Sequence, residues 1–279
     1  MLMITKSNGE LQEFSLYKLK QSLLRSGASS QLAESVAFEV QESIKSEERT
    51  SDIYKRAFRM LKKRGEELTL SRYNLKKAVH DLGPSGYPFE HFIAKLFKTQ
   101  GYDVRVGVFL NGICVRHEID VVASKGGKKI LVETKFRNRS GDNVSIRTPL
   151  YMKSRFEDIV ARKGGAKTND FSLMIFTNTR FSNDAIRYAR CSGSMKLVSW
   201  GYPRNNGLEK MIERAGLHPI TVLDFLSKKE KMAFLKEGIV VCRDVKRNAS
   251  KLRSLGLPTE KIEKAIEQAN RLCNLSFEK

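Results

Sequence analysis

Two carboxylates on neighbouring segments, Asp120 and Glu133, are spaced as candidates for metal binding or catalysis. A glycine pair, Gly126-Gly127, separates two stretches in which apolar and polar residues alternate, which is typical of a β-hairpin with a two-residue turn. In that register Asp120 lies directly across from Glu133. Two carboxylates in opposed positions repel each other and destabilise the strand pair. The pattern therefore indicates that a positively charged group belongs between them.

A divalent cation would turn this repulsion into an attraction. Mg²⁺ takes oxygen ligands, commonly one or two carboxylates together with water and a substrate phosphate, and Mn²⁺ accepts similar ligands. Asp120 and Glu133 are therefore candidate metal ligands. Lys135, two residues beyond Glu133 on the same strand face, could orient a water molecule or neutralise charge developing on a phosphate. The alternative is that all three are ordinary solvated residues on the exposed face of an antiparallel sheet.

Two other ionisable residues lie near this pair in the sequence. Glu90 falls on the helical segment that precedes the strands, and it is either a further member of the site or a solvated helix residue. His117 comes three residues before Asp120, and we expect it to be a neighbour of the site and not a metal ligand.

The segments around these residues predict an α/β or α+β domain with a mixed sheet. Their order is helix, three strands, helix, strand, helix, strand. Hydrophobic periodicity and turn residues define the bounds. The predicted elements are a helix from Pro88, strands at 102–110, 113–123 and 129–136, a helix at 149–162, a strand at 171–177, a helix at 182–190 and a strand at 196–200.

Helical segments flank this domain on both sides. Residues 3–14 predict a short hairpin that turns at Asn8-Gly9, and four helical patterns follow it. The segment 83–88 is rich in glycine and proline, which predicts a loop at the end of this first part. Beyond Pro203 the patterns are helical again. The chain is thus divided into residues 1–82, 83–200 and 201–279.

The charge balance points to a polyanionic partner. The chain has 51 lysines and arginines against 31 aspartates and glutamates, a net charge of +20. Residues 83–200 carry half of this excess. Nucleic acid is the first candidate partner. An anionic membrane surface is second, because no basic amphipathic helix with an aromatic face stands out.

Other classes of protein are excluded by composition. No apolar stretch approaches the roughly 20 residues that a membrane span needs, and the N-terminus has no signal-peptide pattern. The four cysteines are scattered without a Cys-x-x-Cys pair, which argues against a disulfide framework and a structural zinc. We therefore expect a cytoplasmic protein with no membrane contact.

The central segment resembles a known family of nucleases. Glu90 on a first helix, His117-Glu-Ile-Asp120 in one strand and Val132-Glu-Thr-Lys135 in the next resemble the PD-(D/E)XK nucleases, and more closely the Mrr-like type IV restriction endonucleases. The resemblance covers about residues 84–200. It implies a restriction-endonuclease-like core and Mg²⁺-dependent hydrolysis of DNA phosphodiester bonds. It also implies Asp120 and Glu133 as metal ligands, Lys135 as catalytic lysine and Glu90 as an accessory acid.

The N-terminal segment resembles an ATP-cone, the nucleotide-binding regulatory module of ribonucleotide reductases and their repressors. The resemblance lies in Lys6-Ser-Asn8-Gly9, in Phe14, and in Lys18 at the opening of the first helix. It implies ATP or dATP as a regulatory ligand, with Lys6 and Lys18 near the phosphates and Asn8 and Gly9 shaping the turn. The alternative is a helical module for DNA contact or dimerisation.

Together these features predict a three-part protein. The fold class is α/β with a mixed sheet, flanked by a mainly helical ATP-cone and a small C-terminal helical domain. The expected function is metal-dependent cleavage of double-stranded DNA by a homo-oligomer, a dimer or larger, in restriction of foreign or modified DNA. Two other functions stay open: a non-catalytic, nucleotide-responsive DNA-binding regulator, and an RNA-processing nuclease.

Overall fold

The computed structural model describes residues 2–6, 9–139, 141–162 and 170–274, so the candidate ligand-binding residue Asn8 lies outside the described residues. The chain forms two compact units, Met1–Lys77 with Arg139–Gly141, and Ala78–Asn138 with Asp142–Lys279. The second unit contains both the segment with the carboxylates and the C-terminal helices. The division of the chain at residues 82 and 200 stays a prediction.

The first unit begins with the predicted hairpin. Strands β1 (Met3–Thr5) and β2 (Leu11–Glu13) pair antiparallel, and Gly9 in the turn has a φ of +86°, a conformation that glycine adopts readily. A third strand, β3 (Glu48–Arg49), pairs parallel with β1. Because β3 has only two residues, its sequence carries no alternation from which it could be predicted.

Four helices complete the first unit: α1 (Leu16–Arg25), α2 (Ser30–Ser43), α3 (Thr50–Lys63) and α4 (Glu67–His80). Serine side chains cap the first two, since Ser15 and Ser29 accept hydrogen bonds from the backbone N–H groups of Lys18 and Leu32. Buried apolar side chains of α1, α2 and α3 form a common core. The unit is mainly helical, as predicted, and its identity as an ATP-cone stays a prediction.

The second unit opens with helix α5 (Tyr87–Thr99), which has Pro88 in its first turn, where a missing backbone N–H costs nothing. A five-stranded sheet follows. Its strands are β4 (Asp103–Asn111), β5 (Arg116–Lys125), β6 (Lys128–Lys135), β8 (Phe171–Thr177) and β10 (Met195–Val198). Strands β7 (Asn143–Val144) and β9 (Arg180–Phe181) pair separately.

The sheet is mixed, as the sequence predicts. Its order is β10-β8-β6-β5-β4. The pairs β4–β5 and β5–β6 are antiparallel, whereas the pairs β6–β8 and β8–β10 are parallel. This combination arises because tight turns join the first three strands, whereas helical crossovers join the parallel ones.

Helices cover both faces of the sheet. On one face the ring of Phe97 in α5 packs edge-on against Phe176, with 5.9 Å between ring centroids. On the other face α6 (Arg147–Arg162) and α7 (Asn183–Ser192) pack against Leu173 and Ile175 of β8. Neighbouring residues of β8 therefore point to opposite layers. In register with them, Thr134 of β6 pairs with Phe176, and Glu133 pairs with Ile175.

The C-terminal part of this unit is helical, as predicted, with α8 (Leu208–Ala215), α9 (Lys228–Lys236), α10 (Ala249–Ser254) and α11 (Thr259–Asn274). It is joined to the rest of the unit by an ion pair between Lys95 of α5 and Asp244, at 2.5 Å. All four cysteines are free, as expected. Within the described parts of the chain, no helix is both long and apolar enough to cross a bilayer.

Candidate active site

The register of the β5–β6 hairpin matches the predicted one up to the candidate site. Lys125 pairs with Lys128 across the glycine turn, and the pairing continues to Val121 opposite Val132. It ends there, one residue before Asp120 and Glu133. The expected direct opposition of these two carboxylates is therefore wrong, because the strands separate at this point.

Asp120 occupies the position where the hairpin opens. Its Oδ2 atom accepts a hydrogen bond from the backbone N–H of Thr134 at 2.7 Å and another from the hydroxyl of Thr134 at 3.1 Å. The carboxylate thus satisfies a backbone donor of β6 near the end of the β5–β6 ladder. These two bonds fix Asp120 beside Glu133, the residue that precedes Thr134.

Strand β5 departs from regular alternation around Asp120. Ile119 packs in the same apolar cluster as Val122, under helix α6, although residues three apart in a regular strand point to opposite faces. In the β4–β5 register the residue opposite Asp120 is Gly107, which has a φ of +64°. Glycine adopts this left-handed conformation without steric cost. Asp120 lies within this irregular stretch of β5 and contacts β6 through Thr134.

Glu133 is a buried carboxylate held by two cations. Only 3% of its side chain is exposed. Its Oε1 atom forms an ion pair with Nζ of Lys135, and its Oε2 atom lies 3.5 Å from Nη1 of Arg155. Burial, followed by repulsion from Asp120, raises the pKa of Glu133, while Lys135 and Arg155 act in the opposite direction. Glu133 therefore lies between a carboxylate that repels it and two cations that attract it.

Arg155 is a member of the site that the sequence analysis missed. It lies on α6, and besides approaching Glu133 it donates a hydrogen bond from Nη2 to the backbone carbonyl of Glu118 in β5. One guanidinium thus contacts both strands of the opened hairpin. Local spacing does not reveal this role, since Arg155 is 22 residues from Glu133 and only the packing of α6 on the sheet brings them together.

Glu90 lies on α5, which covers the face of the sheet opposite to α6 and Arg155. Burial raises its pKa to about 7, and repulsion from Asp120, Glu133 and Glu118 acts in the same direction. The first turn of α5 thus places a carboxyl group close enough to sense the charges of both strands. A group with a pKa near 7 exchanges protons readily at neutral pH.

The raised pKa of Glu90 predicts a pH-dependent stability. The folded protein keeps the Glu90 proton to a higher pH than the unfolded chain, whose glutamate titrates near 4.5, so stability is lost as the pH rises from about 4.5 through 7. In EDTA, we expect Glu90→Gln to melt like wild type at pH 5 and above wild type at pH 8. Glu157→Gln on α6, an exposed control, should show no such difference between the two pH values. If Glu90→Gln changes the melting temperature by the same amount at pH 5 and at pH 8, the pKa of Glu90 is not raised by the folded structure.

His117 contacts helix α6 and not the carboxylates. Its Nε2 atom lies 2.6 Å from Oδ2 of Asp158, which also accepts backbone hydrogen bonds from Cys114 and Val115. These bonds hold the pKa of Asp158 well below its usual range, with the Cys114 bond as the largest cause. Asp158 therefore anchors the β4–β5 turn to α6, the helix that carries Arg155. His117 is therefore placed next to α6 by Asp158, and its expected role as a neighbour of the site stays a prediction.

The donor set fits a divalent cation with a small number of protein ligands. Among the described residues no cluster of three or more histidine, cysteine, aspartate or glutamate side chains forms a ready-made cage. Mg²⁺ needs no such cage, because it usually keeps several waters and binds through one or two carboxylates. Asp120 and Glu133 supply two carboxylates, and the repulsion between them would be relieved by a cation. Their assignment as metal ligands stays a prediction.

The candidate nucleotide-binding residues of the first unit lie at two places. Lys6 follows β1, and its Nζ atom pairs with Glu10 at 3.1 Å across the turn that contains Gly9. Lys18 is exposed in the first turn of α1. In the described part of the unit, no hydrogen bond or ion pair joins Lys6 to Lys18. A bound phosphate would have to replace Glu10 as the partner of Lys6.

Two family models match this chain. One is a restriction endonuclease model, Mrr_cat, which covers residues 83–200 and therefore all four acidic and basic residues predicted for the site. The other, AF1548-like C-terminal, covers residues 218–273. Neither model extends over the N-terminal unit.

Relatives match a larger part of the chain. An uncharacterized protein of Archaeoglobus fulgidus is 35% identical over 181 residues, which are 64% of this chain and 99% of the relative. The crystal structure of a protein of unknown function, AF1548, is also 35% identical, with a TM-score of 0.56 over 68% of this chain and 99% of that one. The restriction endonuclease MspJI, solved with a 27-mer oligonucleotide, aligns over 61% of this chain and 36% of its own, at 12% identity and a TM-score of 0.38.

The similarity to MspJI is too low to support a conclusion about this chain. The matches to the Archaeoglobus fulgidus protein and to AF1548 each cover 99% of the related protein. From the 35% identity and the model matches at 83–200 and 218–273, the chain belongs to the AF1548-like family and carries a restriction-endonuclease-like domain.

Proposed function

We propose that this protein is a Mg²⁺- or Mn²⁺-dependent endonuclease that hydrolyses phosphodiester bonds of double-stranded DNA. The observation that carries the proposal is the meeting of Asp120, Glu133, Lys135 and Glu90 at the open end of the β5–β6 hairpin. These residues lie within the segment that matches the restriction endonuclease model. Action on foreign or modified DNA is part of the proposal and rests on the family analogy alone.

The roles of the residues follow from their positions. Asp120 and Glu133 would hold the cation, which when bound polarises water and neutralises charge on the phosphate. Lys135 is one-third exposed, so its Nζ atom can reach a water molecule or a phosphate oxygen while Glu133 stays buried beside it. Hydrolysis forms a bond from a water oxygen to phosphorus and breaks the bond to the leaving sugar oxygen, which takes up a proton from solvent. Glu90, which lies near Asp120 and Glu133, can take the proton that the attacking water loses.

Arg155 has a positioning role in this proposal. A buried carboxylate that lost its cationic neighbours would take up a proton, because desolvation disfavours the charged form. Arg155 counters that tendency at Glu133 and at the same time ties β5 to α6 through Glu118. The guanidinium thus favours the ionised form of Glu133 and holds β5 against α6.

We also propose that the first unit binds ATP or dATP and that this binding regulates the nuclease. No P-loop motif is present in the sequence, so we expect little or no ATPase activity. Coupling between two binding sites is typically about 1–3 kcal/mol and is reciprocal. DNA should therefore change ATP affinity by the same factor by which ATP changes DNA affinity.

Calorimetric titration of the intact protein with ATP, dATP and ADP tests the regulatory site. We expect heat from at least one nucleotide, and we expect it to disappear in the double variant Lys6→Ala/Lys18→Ala. Arg25→Ala/Lys45→Ala removes the same charge from exposed positions of the same unit and should leave binding intact. No heat at millimolar nucleotide would make the unit a structural or dimerisation module. Binding that survives the first double variant would place the site elsewhere.

A further inference from the structure

Charge is strongly segregated within the first unit. Residues 49–77 contain ten lysines and arginines against three acidic residues, a net charge of +7, whereas residues 1–48 contain five basic and seven acidic residues, a net charge of −2. The excess is concentrated in α3 and the residues that follow it. None of the candidate nucleotide-binding residues falls in this basic half.

Helix α3 presents much of this charge as one exposed stripe. Lys55, Arg59, Lys62 and Lys63 are all exposed, and at 100° per residue they fall within an arc of about 100°. The buried side of the helix, centred on Ala57, faces the opposite way. At 1.5 Å per residue the stripe is about 12 Å long. We define these four residues as the α3 stripe.

Two members of the stripe, Arg59 and Lys63, differ in their bonding from the basic residues nearby. Arg56 and Arg64, which lie off the stripe, are committed to the carboxylates of Glu48 and Glu39. Arg59 donates only to a carbonyl of its own helix, and among the described residues neither it nor Lys63 has a carboxylate partner. Lys55 pairs with Asp52, at 2.7 Å. Such an exposed pair is weak enough to be exchanged for another anion.

Helix stabilisation does not account for the whole stripe. Basic residues near a helix C-terminus interact favourably with the macrodipole, which explains Lys62 and Lys63 in the last turn. Lys55 lies in the first half of α3 and gains nothing from this effect. Its pair with Asp52, three residues earlier, stabilises the helix instead. Neither effect accounts for Arg59 in the middle of the helix, and a ligand with several negative charges in a row would account for it and for the alignment of the four residues.

Duplex DNA is the ligand that fits these observations best. Each strand carries one phosphate per about 3.4 Å of helix axis, so a 12 Å stripe spans three to four phosphates. A membrane-surface helix would need large apolar side chains beside the cations. Among the described side chains of the first unit, the large exposed apolar ones are Leu11, Leu16, Tyr17 and Phe38, and none of these lies on α3.

We propose that the α3 stripe binds the phosphate backbone of duplex DNA, so that the first unit is a second DNA-binding element of the protein. This inference rests on the proposed function, because it takes the nuclease substrate as the ligand. It assigns to the first unit a role separate from the binding of a nucleotide at Lys6 and Lys18. The contact is with phosphates, so it adds affinity at every sequence equally.

The test compares two double variants of the full-length protein that lose the same charge. Arg59→Gln/Lys63→Gln removes half of the stripe, and Arg25→Gln/Lys45→Gln removes two exposed cations from the acidic half of the same unit. Binding to a 30-base-pair duplex is followed by fluorescence anisotropy in EDTA over a range of salt concentrations. A third variant, Arg59→Lys/Lys63→Arg, keeps both charges, and thermal melting checks that all three are folded.

We expect Arg59→Gln/Lys63→Gln to bind about tenfold more weakly and to lower the slope of log K against log salt by about 1.8, since each phosphate contact contributes about 0.9. The matched control and the charge-keeping variant should stay within about twofold of wild type. If Arg59→Gln/Lys63→Gln and the control Arg25→Gln/Lys45→Gln lose the same amount of DNA affinity, the proposal is wrong. Stripe-dependent binding of duplex RNA without stripe-dependent binding of DNA would also overturn it.

Failure of this inference is distinguishable from failure of the proposed function. If the stripe variant binds like its control while wild type cuts DNA in Mg²⁺, the α3 assignment is wrong and the nuclease assignment stands. If wild type binds DNA through the stripe and never cuts it, the α3 assignment stands and the nuclease assignment is wrong. Wild type that does not bind DNA at all overturns both.

Discussion

DNA cleavage is expected to fall by about 10²–10⁴-fold in each of the variants Asp120→Asn and Lys135→Gln, with binding to DNA largely unchanged. The asparagine side chain in Asp120→Asn keeps an oxygen for the backbone N–H of Thr134, so the hairpin should retain its shape while the site loses a negative charge. Lys135→Gln removes a cation that contacts Glu133 and is also partly exposed to solvent. Single-turnover cleavage of a labelled duplex gives the rate, and anisotropy in EDTA gives the affinity.

Matched controls for this prediction lie elsewhere in the second unit. Asp184 is an exposed carboxylate on α7 and Lys196 an exposed lysine on β10, so Asp184→Asn and Lys196→Gln repeat the chemical changes away from the site. Both should cut at the wild-type rate. Wild-type rates in Asp120→Asn and Lys135→Gln as well would exclude the carboxylate site as the centre of cleavage.

Removal of the Phe176 ring is expected to produce the largest loss of stability. Phe176 is fully buried in β8 and packs edge-on against Phe97 of α5, so Phe176→Ala leaves a cavity between the sheet and the helix. Such a change typically costs about 3–5 kcal/mol. Urea unfolding followed through Trp200, the only tryptophan in the chain, reports on the second unit directly. The site should be affected too, since Phe176 pairs with Thr134, the residue that holds Asp120.

Phe109→Ala is the control for this prediction. Phe109 lies on the edge strand β4, half exposed, and its main described contact is with the guanidinium of Arg116, 4.2 Å from the ring centre. Its removal should cost no more than about 1 kcal/mol. If the two variants unfold at the same urea concentration, the packing of α5 on β8 contributes less than the structure implies.

Much of the central fold follows from local patterns in the sequence. The glycine turn at 126–127 fixes the β5–β6 register because a two-residue loop leaves no freedom in the pairing. Ser182 begins α7 by accepting a hydrogen bond from the backbone N–H of Ala185, the contact that its residue type predicts. Turn chemistry and caps act over a few residues, so they can be recognised without knowledge of the tertiary structure.

The features that the sequence does not reveal depend on contacts between distant segments. The β5–β6 pairing ends before Asp120, whose side chain accepts hydrogen bonds from Thr134 of the neighbouring strand. Arg155 reaches the site only through the packing of α6 on the sheet. Both features need the positions of several elements at once. The α3 stripe is different, because its four residues lie on one helix and their charge can be counted in the sequence, and the structure adds that all four are exposed.

Incubation of supercoiled plasmid DNA with the purified protein, in Mg²⁺ or Mn²⁺ and in EDTA, decides whether the protein is a metal-dependent nuclease. The assay includes unmethylated plasmid, methylated plasmid and RNA, each with and without ATP. The assignment of the Asp120–Glu133–Lys135 site predicts nicked or linear DNA in the presence of the cation and intact plasmid in EDTA. DNA that is bound but left intact under every condition would contradict it and favour a non-catalytic regulator, and cleavage of RNA alone would favour an RNA-processing nuclease.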